Sequence, residues 1–285
     1  MVVGVQYKVL FVGLGSIGKR HLKNLLYLEP DCKVDALRHS GEEHPNISKV
    51  YKKYEDVPND YDIIFITNPT SLHFEAISNL ATKGKNLFIE KPIFEKPYDC
   101  NLSEGINYIA CPLRHNSVVK SLKKYIENHD VFSFRAICSS YLPEWRADTD
   151  YRKNYSADRN MGGGVELDLI HEIDYLRWCF GDFSEVKRIS GKKSNLEISS
   201  NDIATYIFEN EKVIGSLHLD YFGRQLKREI EIYTSEETKV FDLMKLENDM
   251  YLAEMMYFLK LIEEHPKNYY NSPDFALRSL RVALI

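Results

Sequence analysis

No Cys-x-x-Cys pair, no two histidines at metal-ligand spacing and no apolar run near the roughly 20 residues of a membrane span occur in these 285 residues. Five cysteines, Cys32, Cys100, Cys111, Cys138 and Cys179, are too few and too scattered for a disulfide framework. Their odd count suits a reducing compartment, and all five read as small buried hydrophobes. The opening segment Met1 to Gln6 has neither a charged flank nor a cleavage site, because Val2-Val3-Gly4-Val5 leads straight into an apolar strand. A cytoplasmic location is therefore expected. Concentrated positive charge is also missing. The net charge is −5, and Lys52-Lys53, Lys123-Lys124 and Lys192-Lys193 are short and dispersed. Neither a nucleic acid nor a membrane is expected as a partner. Internal repeats and low-complexity tracts are absent.

What is present is a chain 44% hydrophobic and 28% charged, long enough for two cores. Lys8 to Val12, Lys33 to Leu37, Asp62 to Thr67 and Asn86 to Glu90 read as strands. Their continuous apolar runs, such as Ile63-Ile64-Phe65-Ile66, suit a parallel sheet covered on both faces. His21 to Tyr27 and Ser71 to Thr82 read as the intervening helices, the second stopped by Gly84. Alternation of this kind predicts a doubly wound α/β domain. After a helix over Ser117 to Glu127, long strands dominate: Val131 to Ser140, Ile203 to Glu209, Lys212 to Tyr221, Lys227 to Thr234 and Thr238 to Leu243. Helices over Tyr251 to Glu264 and Phe275 to Ile285 close the chain. The expected fold class is α/β, a parallel sheet in residues 1–116 followed by an α+β domain with an open, mostly antiparallel sheet in residues 117–285.

Gly13-Leu14-Gly15-Ser16-Ile17-Gly18 lies between the first strand and the first helix. Gly13 permits the tight bend, Gly15 lets backbone N–H groups approach a pyrophosphate, and Gly18 lets the helix pack closely. The helix N-terminus at Ser16 and Ile17 adds partial positive charge. About 20 residues further on, where dinucleotide sites place Asp or Glu on the ribose, this chain has Arg38, then His39 and Ser40. An arginine there accommodates a 2′-phosphate, so NADP(H) is favoured and NAD(H) is the alternative. In the competing reading Arg38 is a solvated strand end and Asp35 or Glu42 serves the ribose.

Glu90-Lys91-Pro92 ends a buried strand, where open α/β sheets bind ligands. A lysine so placed can hold a substrate hydroxyl and stabilise the alkoxide that develops as hydride leaves carbon. Further on, Met161-Gly162-Gly163-Gly164 precedes a helix from Val165 to before Gly181, which carries Asp168 and His171 on one face. His171 is suited to take or return the hydroxyl proton, with Asp168 orienting it and the triple glycine admitting a ligand. A histidine bordering an apolar stripe is otherwise an ordinary core residue.

These motifs, together with Thr67-Asn68-Pro69-Thr70-Ser71-Leu72-His73 and Asp174, resemble the Gfo/Idh/MocA family of NAD(P)-dependent oxidoreductases over nearly the whole chain. The resemblance implies a Rossmann domain, substrate bound between it and the second domain, and a homodimer or homotetramer formed through the open sheet. It implies Lys91 orienting the reacting hydroxyl and His171 as general acid/base. Asp168 would support His171, Asn68, Pro69 and His73 would line the nicotinamide, and Glu90 would belong to the same cofactor-binding set. A cis Lys91-Pro92 bond is expected. Two departures stand out: many members have the carboxylate four residues before the histidine rather than three, and Ile93 to Ile109 is short for the helix usual after Glu-Lys-Pro.

On the substrate side, Arg114, Trp145, Arg146, Tyr151 and Arg152 combine carboxylate- or phosphate-binding forks with flat rings suited to a sugar. They predict a sugar-like substrate, anionic or nucleotide-linked. In the alternative, these arginines pair with Glu144, Asp148 and Asp150 in an ordinary loop. The overall expectation is an enzyme exchanging hydride with a secondary hydroxyl or ketone. The alternatives are a non-catalytic cofactor-binding regulator, a redox-assisted glycosidase and a purely structural partner.

Overall fold

A computed structural model describes residues 6–39, 44–146, 149–245 and 249–285. The chain divides into two compact units, residues 1–111 with 251–276, and residues 112–250 with 277–285. The first unit is a six-stranded parallel sheet of order β3-β2-β1-β4-β5-β6. Its strands are β1 (Lys8–Val12), β2 (Lys33–Leu37), β3 (Lys49–Tyr51), β4 (Tyr61–Ile66), β5 (Gly84–Ile89) and β6 (Asn107–Ile109). The chain starts in the middle, winds outward through β2 and β3, then returns to the other side of β1 with β4. The order therefore reverses between β1 and β4, and the carboxyl ends of those two strands form the switch point where such sheets bind ligands.

The apolar runs go where their pattern sends them. Ile63, Ile64, Phe65 and Ile66 are all fully buried, because α1 (Ser16–Leu28) and α2 (His73–Leu80) belong to connections that cover a parallel sheet. Phe65 stacks on Phe11 at 4.3 Å and meets Phe88 at 5.0 Å. The same cluster receives Met255, Phe258, Leu259, Leu261 and Ile262 from α6 (Met250–Glu264). A single cut after residue 116 thus misplaces this helix: its apolar face completes the first core, so the chain returns to the first unit near its end. Phe258 contacts Phe88 and Tyr108 edge-on or tilted, at 5.1 and 5.4 Å. Phe258→Ala is expected to cost about 3–5 kcal/mol, read as a lowered urea midpoint with unchanged slope.

The second unit is a mixed sheet of order β12-β11-β7-β10-β9-β8, antiparallel except where β7 runs parallel to β10. Its strands are β7 (Val131–Tyr141), β8 (Glu185–Gly191), β9 (Ile203–Glu209), β10 (Ile214–Asp220), β11 (Phe222–Thr234) and β12 (Thr238–Asp242). Ala204, Tyr206 and Phe208 alternate inward along β9, while Thr205 and Ile207 face outward. The helices of this unit are α3 (Ser117–Asn128), α4 (Val165–Asp168) and α5 (Ile170–Phe180). The unit boundary falls within the last helix, α7 (Pro273–Ala283). Asn116 caps α3 by accepting from Val118 N at 2.7 Å and Val119 N at 3.3 Å.

Three strands, β3, β6 and β8, are absent from the sequence reading. The first two are three residues long, and β8 is an edge strand with only two apolar side chains, Val186 and Ile189, in no regular alternation. Gly84 is not a helix cap: α2 ends at Leu80, and Gly84 opens β5, where a Cβ would lie 2.6 Å from Ile64 Cγ1. The helix expected from Val165 is interrupted at Leu169, so Asp168 ends α4 while His171 lies in the first turn of α5. No helix among the described residues is long and apolar enough to cross a membrane.

Candidate active site

At the switch point Gly13 has φ +84°, and a Cβ there would come within 2.9 Å of Asn68 Cα. The turn after β1 and the loop after β4 are therefore packed backbone against backbone. Thr67 ties them further, its hydroxyl donating to Gly13 O at 2.7 Å. Gly18 is required by the same contact, since its Cβ would be 2.7 Å from Thr67 Oγ1 and 2.8 Å from Gly13 O. Gly15 differs. Its φ is −70° and nothing lies within 4 Å of a Cβ built on it, so neither strain nor packing calls for glycine. It stands at the N-cap of α1, where the N–H groups of Ser16, Ile17 and Gly18 have no acceptor within the helix. Open space beside orphan donors at a positive helix end fits a phosphate approaching the backbone.

A cleft of about 420 Å³ runs from Gly13 and Gly15 past Asn68 and Pro69 to Arg38. Arg38 Nε and Nη2 and Asn68 Oδ1 are buried without a hydrogen-bond partner among the described residues. Asp35 is no candidate for the ribose: it sits in the middle of β2, where its carboxylate accepts from Tyr61 Oη at 2.7 Å. Ser40 and Glu42 lie outside the described residues. The residues present thus fit a dinucleotide, with open backbone donors at one end and unsatisfied guanidinium donors at the other.

The other edge of this region is built around Glu90. Its Oε1 accepts from the buried His21 Nε2 at 2.6 Å, and its Oε2 accepts from Lys91 N at 3.1 Å. Burial pushes the Glu90 pKa up, but the hydrogen bond and charge of His21, with Lys91, outweigh it and hold the carboxyl below its usual range. The Lys91-Pro92 bond is cis. His73 fastens this turn to the β4 loop: Nδ1 donates to Pro92 O at 3.0 Å, and Nε2 lies 3.0 Å from Asn68 O. Burial lowers the His73 pKa against the pull of those carbonyls. Asn68, Pro69, His73, Glu90 and Lys91 are therefore brought together within the first unit.

In the second unit, Asp168 is buried and its Oδ2 accepts from Tyr221 Oη at 2.5 Å. Tyr155 also bonds Asp168, whose negative charge, with burial, raises the pKa of the Tyr155 phenol. Trp145 packs edge-on against Tyr221 at 5.3 Å and donates from Nε1 to Ser140 Oγ at 2.9 Å. Arg146 is exposed, and its charge reaches Tyr155. His171 is half-buried in the first turn of α5. The triple glycine answers to backbone rather than ligand: Gly162 and Gly164 have φ of +79° and +134°, and a Cβ on Gly163 would be 2.2 Å from Tyr155 O.

Two of the three arginines expected to grip substrate are engaged elsewhere. Arg114 is 3% exposed, with its fork closed on Asp174 through Nε at 2.7 Å and Nη2 at 2.6 Å. Arg152 binds Asp150 at 2.8 Å and Glu197 at 3.0 Å, and Tyr151 accepts from Glu197 N with its hydroxyl. Tyr151 and Arg152 therefore anchor their loop to the segment at Glu197. Asp148 lies outside the described residues.

The neighbouring His115 is pushed down to about 4 by burial, then by the charges of Lys120 and Arg114. An unfolded histidine titrates near 6.5, so between about pH 6.5 and 4 the unfolded chain takes up a proton the folded chain refuses. Unfolding free energy is expected to fall by a few kcal/mol as pH drops through that window. His115→Gln should flatten the fall in urea titrations at successive pH values.

Comparison with known proteins places this architecture. Residues 7–103 match the model for an oxidoreductase family with an NAD-binding Rossmann fold, GFO_IDH_MocA. Residues 119–239 match the GFO/IDH/MocA C-terminal domain. The chain belongs to the Gfo/Idh/MocA oxidoreductase family. Similar sequences include a levoglucosan dehydrogenase of Pseudarthrobacter phenanthrenivorans, 28% identical over 56% of this chain and 43% of its own. The scyllo-inositol 2-dehydrogenase (NAD+) of Bacillus subtilis is 34% identical over 65% of this chain and 57% of its own. The matched stretches thus span roughly half of these relatives' lengths. Among solved structures, the WlbA dehydrogenase of Bordetella pertussis, in complex with NADH and UDP-GlcNAcA, superposes with a TM-score of 0.81. It covers 96% of this chain and 93% of its own at 15% identity, a likeness of fold.

The sequence alone assigns no role to His21, Tyr155 or Tyr221, and names Thr67 only as part of a motif. For His21 a signal existed: it lies three residues after Gly18 and four before Leu25, on the inward face of α1.

Proposed function

We propose that this protein is an NADP(H)-preferring oxidoreductase that interconverts a secondary hydroxyl and a ketone on a cyclitol, sugar or sugar derivative. The observation that carries the reading is the cleft at the switch point, with the open flank of Gly15 at one end and the unpartnered Arg38 donors at the other. When bound, the nicotinamide supplies or accepts the hydride. Lys91 donates a hydrogen bond from its ammonium to the reacting oxygen and lowers the free energy of the developing alkoxide. His171 takes the hydroxyl proton in oxidation and returns it in reduction. Asp168, held by Tyr221 and Tyr155, supports that exchange electrostatically. Glu90, fixed by His21, sets the backbone from which Lys91 projects.

Trp145 offers a flat face for a ring, and Arg146 is left to meet an anionic or nucleotide-linked group now that Arg114 and Arg152 are taken. The relatives' inositol, levoglucosan and UDP-sugar ligands are of this polyhydroxylated kind. Self-association as a dimer or tetramer would use the open face of the second sheet, where Ile189, Ile207, Ile214 and Val240 are exposed. The unpaired cysteines suit the cytoplasm.

Gly15→Ala tests the cofactor site directly. Because no protein atom crowds that position, the thermal midpoint should stay where it is. The dissociation constant for NADPH, followed by its fluorescence, should rise about tenfold or more as the methyl group pushes the phosphate off its donors. Unchanged binding would place the dinucleotide elsewhere.

A further inference from the structure

We propose that Lys52, at the end of β3, is a specificity-determining residue for the cofactor, the second cation of a site for the adenosine 2′-phosphate that begins with Arg38. This inference rests on the NADP(H) reading above and extends it to a residue on a different strand. Strands β2 and β3 are neighbours in register, Leu37 opposite Tyr51, and Arg38 N continues the pairing to Tyr51 O at 3.1 Å. Arg38 and Lys52 therefore leave the sheet side by side at its carboxyl edge. The Lys52 ammonium turns back over the β2 turn and donates to His39 O at 3.2 Å. Arg38, His39, Lys52 and Tyr54 all line the cleft that starts at the phosphate turn.

Charge identifies the ligand chemistry. Two cations and an imidazole, Arg38, Lys52 and His39, line that cleft, and no carboxylate does among the described residues. A phosphate monoester carries close to two negative charges at neutral pH and offers three acceptor oxygens. Arg38 brings two buried, unpartnered nitrogens as a fixed fork. Lys52 adds a compact point charge from the end of the neighbouring strand β3. The adjacent Lys53 makes the contrast: it lies 3.7 Å from Glu55 and does not line the cleft.

Calorimetric titration of the intact chain with adenosine 2′,5′-bisphosphate and adenosine 5′-monophosphate isolates the 2′-phosphate and needs no turnover. Lys52→Ala is expected to weaken the bisphosphate by about tenfold or more and leave the monophosphate unchanged. Lys53→Ala should alter neither, which separates a specific contact from a general loss of charge. Should Lys52→Ala bind both ligands like the wild type while Arg38→Ala loses the preference, the role of Lys52 is overturned and the NADP(H) reading stands. Should the wild type bind the bisphosphate no better than the monophosphate, the NADP(H) reading falls and this inference falls with it.

Discussion

Lys91→Met is expected to lower kcat by about 10²–10³-fold at saturating substrate while the affinity for NADPH stays unchanged. Methionine nearly matches the length of lysine but carries no proton to donate, so the oxygen that becomes an alkoxide loses its ammonium partner. That interaction strengthens as charge develops, which directs the loss to kcat rather than KM. The cofactor should be indifferent, because the contacts that fix this turn include the Lys91 backbone N–H to Glu90 and His73 to Pro92 O, both of which the substitution keeps. Steady-state rates and NADPH fluorescence titration on the same preparation separate the two effects. Turnover close to the wild-type value would remove Lys91 from the chemistry.

His171→Ala should lower kcat by about 10²–10⁴-fold and abolish the rise of alcohol oxidation with pH. A base works only unprotonated, so with His171 in that role the wild-type oxidation rate should climb with pH and that of the variant should not. Added imidazole should recover part of the rate in the variant and none in the wild type. An unaltered pH profile would show that His171 is an ordinary helix residue. Asp168→Asn provides the comparison: with Tyr221 and Tyr155 still able to pack around it, a smaller loss than that of His171→Ala is expected.

The parts of the site legible in the chain are those written in consecutive residues. A glycine turn between an apolar strand and a helix needs only local spacing to be read, and the same holds for a lysine followed by proline at a strand end. The obscure parts are those made by distant partners. His21 and Glu90 are 69 residues apart, and Arg114 meets Asp174 across 60, so nothing near Arg114 reveals that its fork is already closed. The triple glycine misled for the opposite reason. Its crowding comes from the carbonyls of Tyr155 and Asp158, which only the folded loop brings in. In the fold, three-residue strands carry too little periodicity to stand out, and an amphipathic helix such as α6 declares an apolar face without declaring which core receives it.

The most direct measurement is the absorbance of reduced nicotinamide when the protein and NADP+ or NAD+ meet a panel of inositols, uronates, amino sugars and UDP-sugars. The account predicts reduction with at least one of these secondary alcohols, faster with NADP+ than with NAD+, and lost in Lys91→Met. Tight NADPH binding by fluorescence with no absorbance change across the panel, in either direction of reaction, would contradict it and leave a cofactor-binding regulator in its place.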